Sequence, residues 1–290
     1  MAPLDLINLT PLMARSSGRP EIMVGLIDGP VAVNHAGLAA NIREIHGSIK
    51  SPSNQTDNVA CLHGTFVAGI LCANRSSPAP AICPNCTLLV RPVFSDLKAR
   101  DVQMPSARPQ ELAAAIVECV NAGARVINLS LALEQQFARS ERELGGALDH
   151  AAKRNVVVVA AAGNRGAVGS SAITRHPWVI PVVSYDLRGT PMDHSNFGGS
   201  IGRRGLGAPG ANVTSLGADG EPLTLSGTSV AAPFVTGAIA LLSSEFPTAS
   251  PPKIKFAITQ AYATKRTSVV PPLLNAWAAY QFMLTAQASR

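Results

Sequence analysis

The chain alternates short apolar runs with longer stretches of helical spacing. Residues 21–27 (EIMVGLI) form an apolar run that stops at Asp28-Gly29-Pro30, the pattern of a buried strand ending in a turn. Residues 51–58 (SPSNQTDN) are polar and predict a loop, and His63 then opens HGTFVAGILCA, which has helical spacing. Residues 87–93 (TLLVRPV) predict another strand. Pro109 stands at the start and Gly123 at the end of PQELAAAIVECVNAG, the punctuation of a helix. Strands at 125–129, 155–160 and 179–184 then alternate with a helix at 138–154. Residues 228–244 are apolar and long enough for a central buried helix, and helices at 251–263 and 272–286 close the chain.

Strands rich in Val and Ile that alternate with helices predict an α/β protein, with a mostly parallel sheet covered by helices on both faces in three layers. At 290 residues the chain is one large domain or two small ones. No Pro/Ser/Gly linker interrupts the alternation and no internal repeat is visible, which predicts one domain over residues 21–290 behind an N-terminal extension of residues 1–20.

Composition narrows the function. Charged residues are 14% and apolar residues 47%, which excludes a disordered or solvating chain. The net charge of +6 is scattered; the tightest basic pairs are Arg203–Arg204 and Lys265–Arg266, and aromatics are only 4%. A nucleic-acid binder would show a basic stripe with aromatics beside it, so a mildly basic surface for a peptide is the better expectation. No run approaches the ~18 apolar residues of a membrane span. The first twenty residues carry no apolar core followed by a small-residue cleavage site, and five cysteines are a sparse, odd set. A cytosolic protein with reduced thiols is expected.

Three segments carry candidate chemistry: Asp28 in LIDGP, His63 in HGTFVAG and Ser229 in LSGTSVAAPFV, spaced by 35 and 166 residues. Singly each has a bland role, as a turn former, a helix-start residue or an N-cap-like residue. Together they fit nucleophilic catalysis. A serine hydroxyl is weak at neutral pH and needs an adjacent base. Histidine has the suitable pKa, and a carboxylate behind it fixes the tautomer. Asn164, in AAAGN after an apolar strand, could supply an oxyanion donor beside the Ser229 N–H.

These segments resemble the subtilisin-like (subtilase) serine proteases. LIDGP is similar to the Asp segment of that family, HGTFVAG to its His segment, AAAGN to its oxyanion segment and GTSVAAP to its Ser segment, with VINLS, DHSNFG and APG also matching across residues 22–278. The order Asp, His, Ser is the known order of the family. The resemblance implies a subtilisin-like fold and a triad of Asp28, His63 and Ser229, with Asn164 and Ser229 as the oxyanion hole. It implies that Ser130, Leu131 and Ala132 form the edge that pairs with an extended peptide, and that Ala161, Ala162 and Gly163 line the pocket for the residue before the cleaved bond. Within the family, LIDGPV and RPVFSD resemble the cyanobactin-type proteases, which are cytosolic and mature ribosomal precursor peptides. Relatives that join peptide ends carry a helical insert near the active site. The 35 residues between Asp28 and His63 leave no obvious place for one, which favours cleavage over macrocyclisation.

The chain departs from the family pattern in several places. Ala132 stands where Gly is common, Phe234 where His is usual, and Asp28 precedes Gly-Pro in place of Ser/Thr-Gly. About twenty residues before the first strand leave no room for the folding pro-region of secreted members. Cys83 and Cys86 form a CxxC without a second ligand pair, which reads as a reduced loop pair and not zinc. Cys61 reads as a packed small side chain. His35, His46, His150, His176 and His194 lack ligand spacing, no calcium loop is found, and no cofactor or metal is expected. Arg165, directly after Asn164, would favour acidic substrate residues if it faced the cleft. A transamidase using the same acyl intermediate and a silent peptide-binding module remain as alternative readings.

Overall fold

The computed structural model describes residues 1–39, 41–45, 47, 58–94, 107–131, 138–260 and 266–288. In chain order the elements are α1 (Pro3–Leu6), α2 (Thr10–Arg15), β1 (Met23–Asp28), β2 (Ile42–Glu44), α3 (Val59–Cys72), β3 (Thr87–Pro92), α4 (Pro109–Asn121) and β4 (Val126–Leu129). There follow α5 (Ala138–Lys153), β5 (Val157–Ala161), α6 (Ala172–Arg175), β6 (Val179–Tyr185), α7 (Gly199–Arg204) and β7 (Leu206–Pro209). A hairpin of β8 (Val213–Leu216) and β9 (Pro222–Leu225) precedes α8 (Thr228–Glu245), α9 (Pro251–Gln260) and α10 (Ala276–Ala288).

Seven strands form one parallel sheet in the order β2-β3-β1-β4-β5-β6-β7. The central strands are apolar on both sides because both faces are covered. Val24, Leu26, Val126, Val157 and Val159 face a core shared with α3 and α8. Ile27, Ile127, Leu129 and Val158 face a second core under α4 and α5. Helices α3 and α8 are almost wholly buried, as expected of helices apolar all round; α4 and α5 carry an apolar stripe and an exposed face. The α/β architecture and parallel sheet predicted from the apolar alternation are therefore present.

Several elements differ from the sequence expectation. Helix α3 starts at Val59, four residues before His63, because the Asn58 side chain accepts the Ala60 N–H at 2.8 Å and caps the helix there. His63 is thus in the second turn and not at the helix start. The last helix begins at Ala276. Residues 272–274 instead run along β7, where Gly207 donates to Pro272 and accepts from Leu274. The first fifteen residues pack into the fold: Ile7, Leu9 and Leu12 are fully buried, and Arg15 lies over the Tyr280 ring. Most of the expected loop at 51–58, His46, Lys265 and the end of the helix expected at 251–263 lie outside the described residues. Among the described residues, no helix is long and apolar enough to cross a membrane.

Candidate active site

The sheet order puts β1 between β3 and β4, so the chain leaves β1 to one side and later returns on the other. Ligand sites of open parallel sheets form at such a switch, beyond the carboxyl ends of the strands. Asp28 is the last residue of β1, and Ser130 follows β4 directly. The register pairs Ile27 with Leu129, so Asp28 and Ser130 stand side by side on adjacent strands.

His63 reaches Asp28 because α3 lies directly against the turn after β1. A Cβ on Gly29 would sit 1.9 Å from the Ala60 carbonyl oxygen, and one on Gly64 would sit 2.3 Å from that of Pro30. Any side chain at either position would push the helix off the turn. The result is a buried pair, with His63 Nδ1 2.7 Å from Asp28 Oδ1. That oxygen also accepts the Gly29 N–H at 2.6 Å. A carboxylate facing Nδ1 fixes the proton there and leaves Nε2 as an acceptor. Nε2 of His63 and Oδ2 of Asp28 are buried and unpartnered among the described residues.

Ser229 lies in the first turn of α8, half-buried, with Gly227 as N-cap. The Thr228 N–H donates to Asn164 Oδ1 at 2.8 Å, and the Val230 and Ala231 N–H groups donate to the Gly227 carbonyl. That leaves the Ser229 N–H as a first-turn donor with no protein acceptor among the described residues. Asn164 Oδ1 is thus occupied by Thr228, and its Nδ2 carries the remaining donor hydrogens close to the Gly227 N-cap. The Ser229 N–H and Asn164 Nδ2 both lie at the N-terminal end of α8, where the helix favours negative charge.

The loop carrying Asn164 is braced by a residue that the sequence reading did not single out. Asn196 accepts the N–H groups of Arg165 and Ala167 through Oδ1 and donates to the Ala162 carbonyl through Nδ2. Thr228 Oγ1 further accepts the Gly163 N–H at 3.1 Å. Ala161, Ala162, Gly163, Asn164 and Leu131 line one pocket of about 250 Å³ with Arg165, Ser170, Ser171 and Ile173. Arg165 is therefore on the pocket wall. Ser130 is buried at the end of β4 with Leu131 beside it, and Ala132 lies outside the described residues.

The remaining candidates lie elsewhere. All five cysteines are free and buried. Burial pushes the thiols of Cys61 and Cys72 up, and that of Cys119 up to about 12. Cys86 moves down, chiefly through a hydrogen bond from Cys83. His176 pairs with Asp149 on the surface, and His194 contacts Ser184 at 3.2 Å. Among the described residues, no three His, Cys, Asp or Glu side chains are placed to hold a metal ion.

A carboxylate-oriented imidazole stands at the carboxyl edge of a parallel sheet and a serine in the first turn of α8, with no hydrogen bond between His63 Nε2 and Ser229 among the described residues. The subtilase family model matches residues 19–275, and the chain belongs to that family. It is 29% identical to subtilisin DY of Bacillus licheniformis over 259 residues, covering 87% of each chain. A serine-to-alanine mutant of the protease domain of PatA superposes with a TM-score of 0.83 at 31% identity, covering 93% of this chain and 97% of that one. The prenylagaramide maturation protease PagA superposes with a TM-score of 0.80 at 29% identity, covering 94% and 98%. The protein is a subtilisin-type serine protease, with the fold and enzyme class that the motifs predicted.

Proposed function

We propose that this protease is an endopeptidase that removes the leader from a ribosomally made precursor peptide in the cytosol. Asp28, His63 and Ser229 are its triad, and Asn164 and the Ser229 N–H its oxyanion hole. Ser229 Oγ attacks the scissile carbonyl while His63 Nε2 takes its proton. Asp28 holds the imidazole and stabilises the imidazolium. The carbonyl oxygen, now anionic, accepts from the Ser229 N–H and Asn164 Nδ2. His63 returns the proton to the leaving amine, and water, activated by the same base, releases the acyl group. The substrate lies extended along Ser130 and Leu131, with the side chain before the cleaved bond in the pocket at Ala161–Gly163.

The observation that carries this reading is the Asp28–His63 pair, bonded at Nδ1 and open at Nε2. The maturation role draws on the likeness to PagA and to the protease domain of PatA. The test has two stages. A fluorophosphonate should label Ser229, and His63→Ala should abolish the label. Absence of label on folded protein would favour a silent binding module. Fresh, unlabelled enzyme is then given a leader-bearing precursor. Cleavage with uptake of water, 18 Da heavier in total, supports a peptidase, whereas a head-to-tail product without that gain makes it a transamidase.

A further inference from the structure

Helix α8 contains a proline, Pro233, four residues after Ser229. In an α-helix the N–H of residue i+4 donates to the carbonyl of residue i, and proline has no N–H. The Ser229 carbonyl therefore lacks its usual helical donor, at the residue read as the nucleophile. Ser130 Oγ donates to that carbonyl at 2.8 Å from the end of β4. We infer that Ser130 is a positioning residue whose hydroxyl replaces the hydrogen bond removed by Pro233 and so fixes the backbone of Ser229. The inference rests on reading Ser229 as the nucleophile.

The direction of the Ser130 proton is set from behind. Asn128 Nδ2 donates to Ser130 Oγ at 2.7 Å, so the Ser130 proton must point elsewhere, toward Ser229. Thr236 Oγ1 donates to Asn128 Oδ1 at 2.8 Å, which fixes the orientation of the amide. Asn128, Ser130 and Thr236 are all fully buried. A polar residue inside an apolar strand is costly unless satisfied, and Asn128 is satisfied only through this chain. The chain runs from α8 to β4 and back to the start of α8; Thr236 Oγ1 also lies 3.2 Å from the Ala232 carbonyl of its own helix, farther than Asn128 Oδ1. The same Ser130 begins the edge on which the substrate is proposed to lie. The network thus fixes the distance between that edge and the nucleophile, where misplacement by ~1 Å can cost ~100-fold in rate.

The decisive experiment is a mutant cycle that restores the missing helical donor. The readouts are the second-order rate of Ser229 labelling by a fluorophosphonate, kcat and KM on a cleaved peptide, and the melting temperature. Ser130→Ala should lower the labelling rate and kcat by about 10–100-fold, with KM within about twofold. Adding Pro233→Ala supplies an N–H to the Ser229 carbonyl and should recover most of that loss. Thr236→Val, two links upstream, should cost about 2–5-fold and be relieved by the same second change, which keeps the test valid if Ser130→Ala does not fold. An unchanged rate in Ser130→Ala overturns the inference. So does a loss that follows the melting temperature and that Pro233→Ala leaves in place. Failure of the wild-type protein to label at Ser229 would instead defeat the reading of Ser229 itself.

Discussion

Two buried charged clusters sit one strand apart at the carboxyl edge of the sheet. In one, Asp28 at the end of β1 meets His63. In the other, Arg91 of β3, which pairs with Ile27 in the register, meets Glu111 and Glu118 of α4. The Arg91 side chain is only 1% exposed, yet all three of its nitrogens donate, to Glu118, Glu111 and the Pro92 carbonyl. Burial works against its charge, but the hydrogen bonds it donates to Glu118 and Glu111 and their negative charges outweigh that, and the pKa is raised. Every side-chain nitrogen of Arg91 is thus satisfied. The Asp28–His63 pair is not, because each partner keeps one buried polar atom unsatisfied. Among the described residues, it is the only hydrogen-bonded pair in which both members do so. Burial and charge are common to both clusters; what separates a site from a structural brace here is the capacity left over for a substrate.

The comparison breaks most sharply if the open pair is dispensable. Ser229→Ala or His63→Ala should lower kcat by about 10⁴–10⁶-fold, and Asp28→Asn by about 10⁴, with the fold kept. Steady-state cleavage and circular dichroism together check this, and residual activity within tenfold of wild type would remove the triad assignment. Asn164→Ala should cost about 10²–10³ in kcat at nearly constant KM, since its donor acts on charge that develops only in the transition state. A rise in KM of that size with kcat unchanged would make Asn164 a binding residue instead.

The arginine cluster should behave in the opposite way. Arg91→Met removes a buried cation and the hydrogen bond that it gives to each of Glu111 and Glu118. Breaking a fully buried pair costs about 3–5 kcal/mol. Here about 2–3 kcal/mol is expected, because Glu118 is 38% exposed and can return to water. Urea unfolding would measure it, and the labelling rate of Ser229 in the folded fraction should stay within about threefold. A large loss of reactivity without loss of stability would join the two clusters into one functional unit.

The strands that became β1, β3, β5 and β6 were legible because both of their faces are covered, so their apolar runs are continuous. Strands β2 and β7 to β9 were not. Ile42–Glu44 is a three-residue edge, Leu206–Pro209 reads as Gly/Pro loop, and in β9 the pattern of exposure alternates too briefly to stand out. The triad candidates were legible because each stands at the boundary of an apolar run. Their supports were not. Thr236 meets Asn128 across 108 positions and Asn196 meets Ala162 across 34, so no local spacing announces them. A buried asparagine in the middle of VINLS was the available signal, since a polar residue inside an apolar strand must find a partner.

Arg165 gives the smallest effect and the finest test of the same contrast. Arg165 lines the 250 Å³ pocket, and its side chain makes no hydrogen bond or ion pair among the described residues. No Asp or Glu lines that pocket. Unlike Nε2 of His63 it is exposed, so water can satisfy it and its spare capacity alone does not mark a function. If the charge faces the substrate, peptides with Glu before the cleaved bond should be cut faster than those with Gln by about fivefold, the scale of an exposed ion pair. The ratio should shrink at high salt, because such a pair is screened within about 10 Å at 0.1 M. Arg165→Glu should invert it in favour of Lys. A Glu/Gln ratio near one in the wild type, unmoved by salt and by Arg165→Glu, would place Arg165 with the solvated surface charges and leave selection to the shape of the pocket.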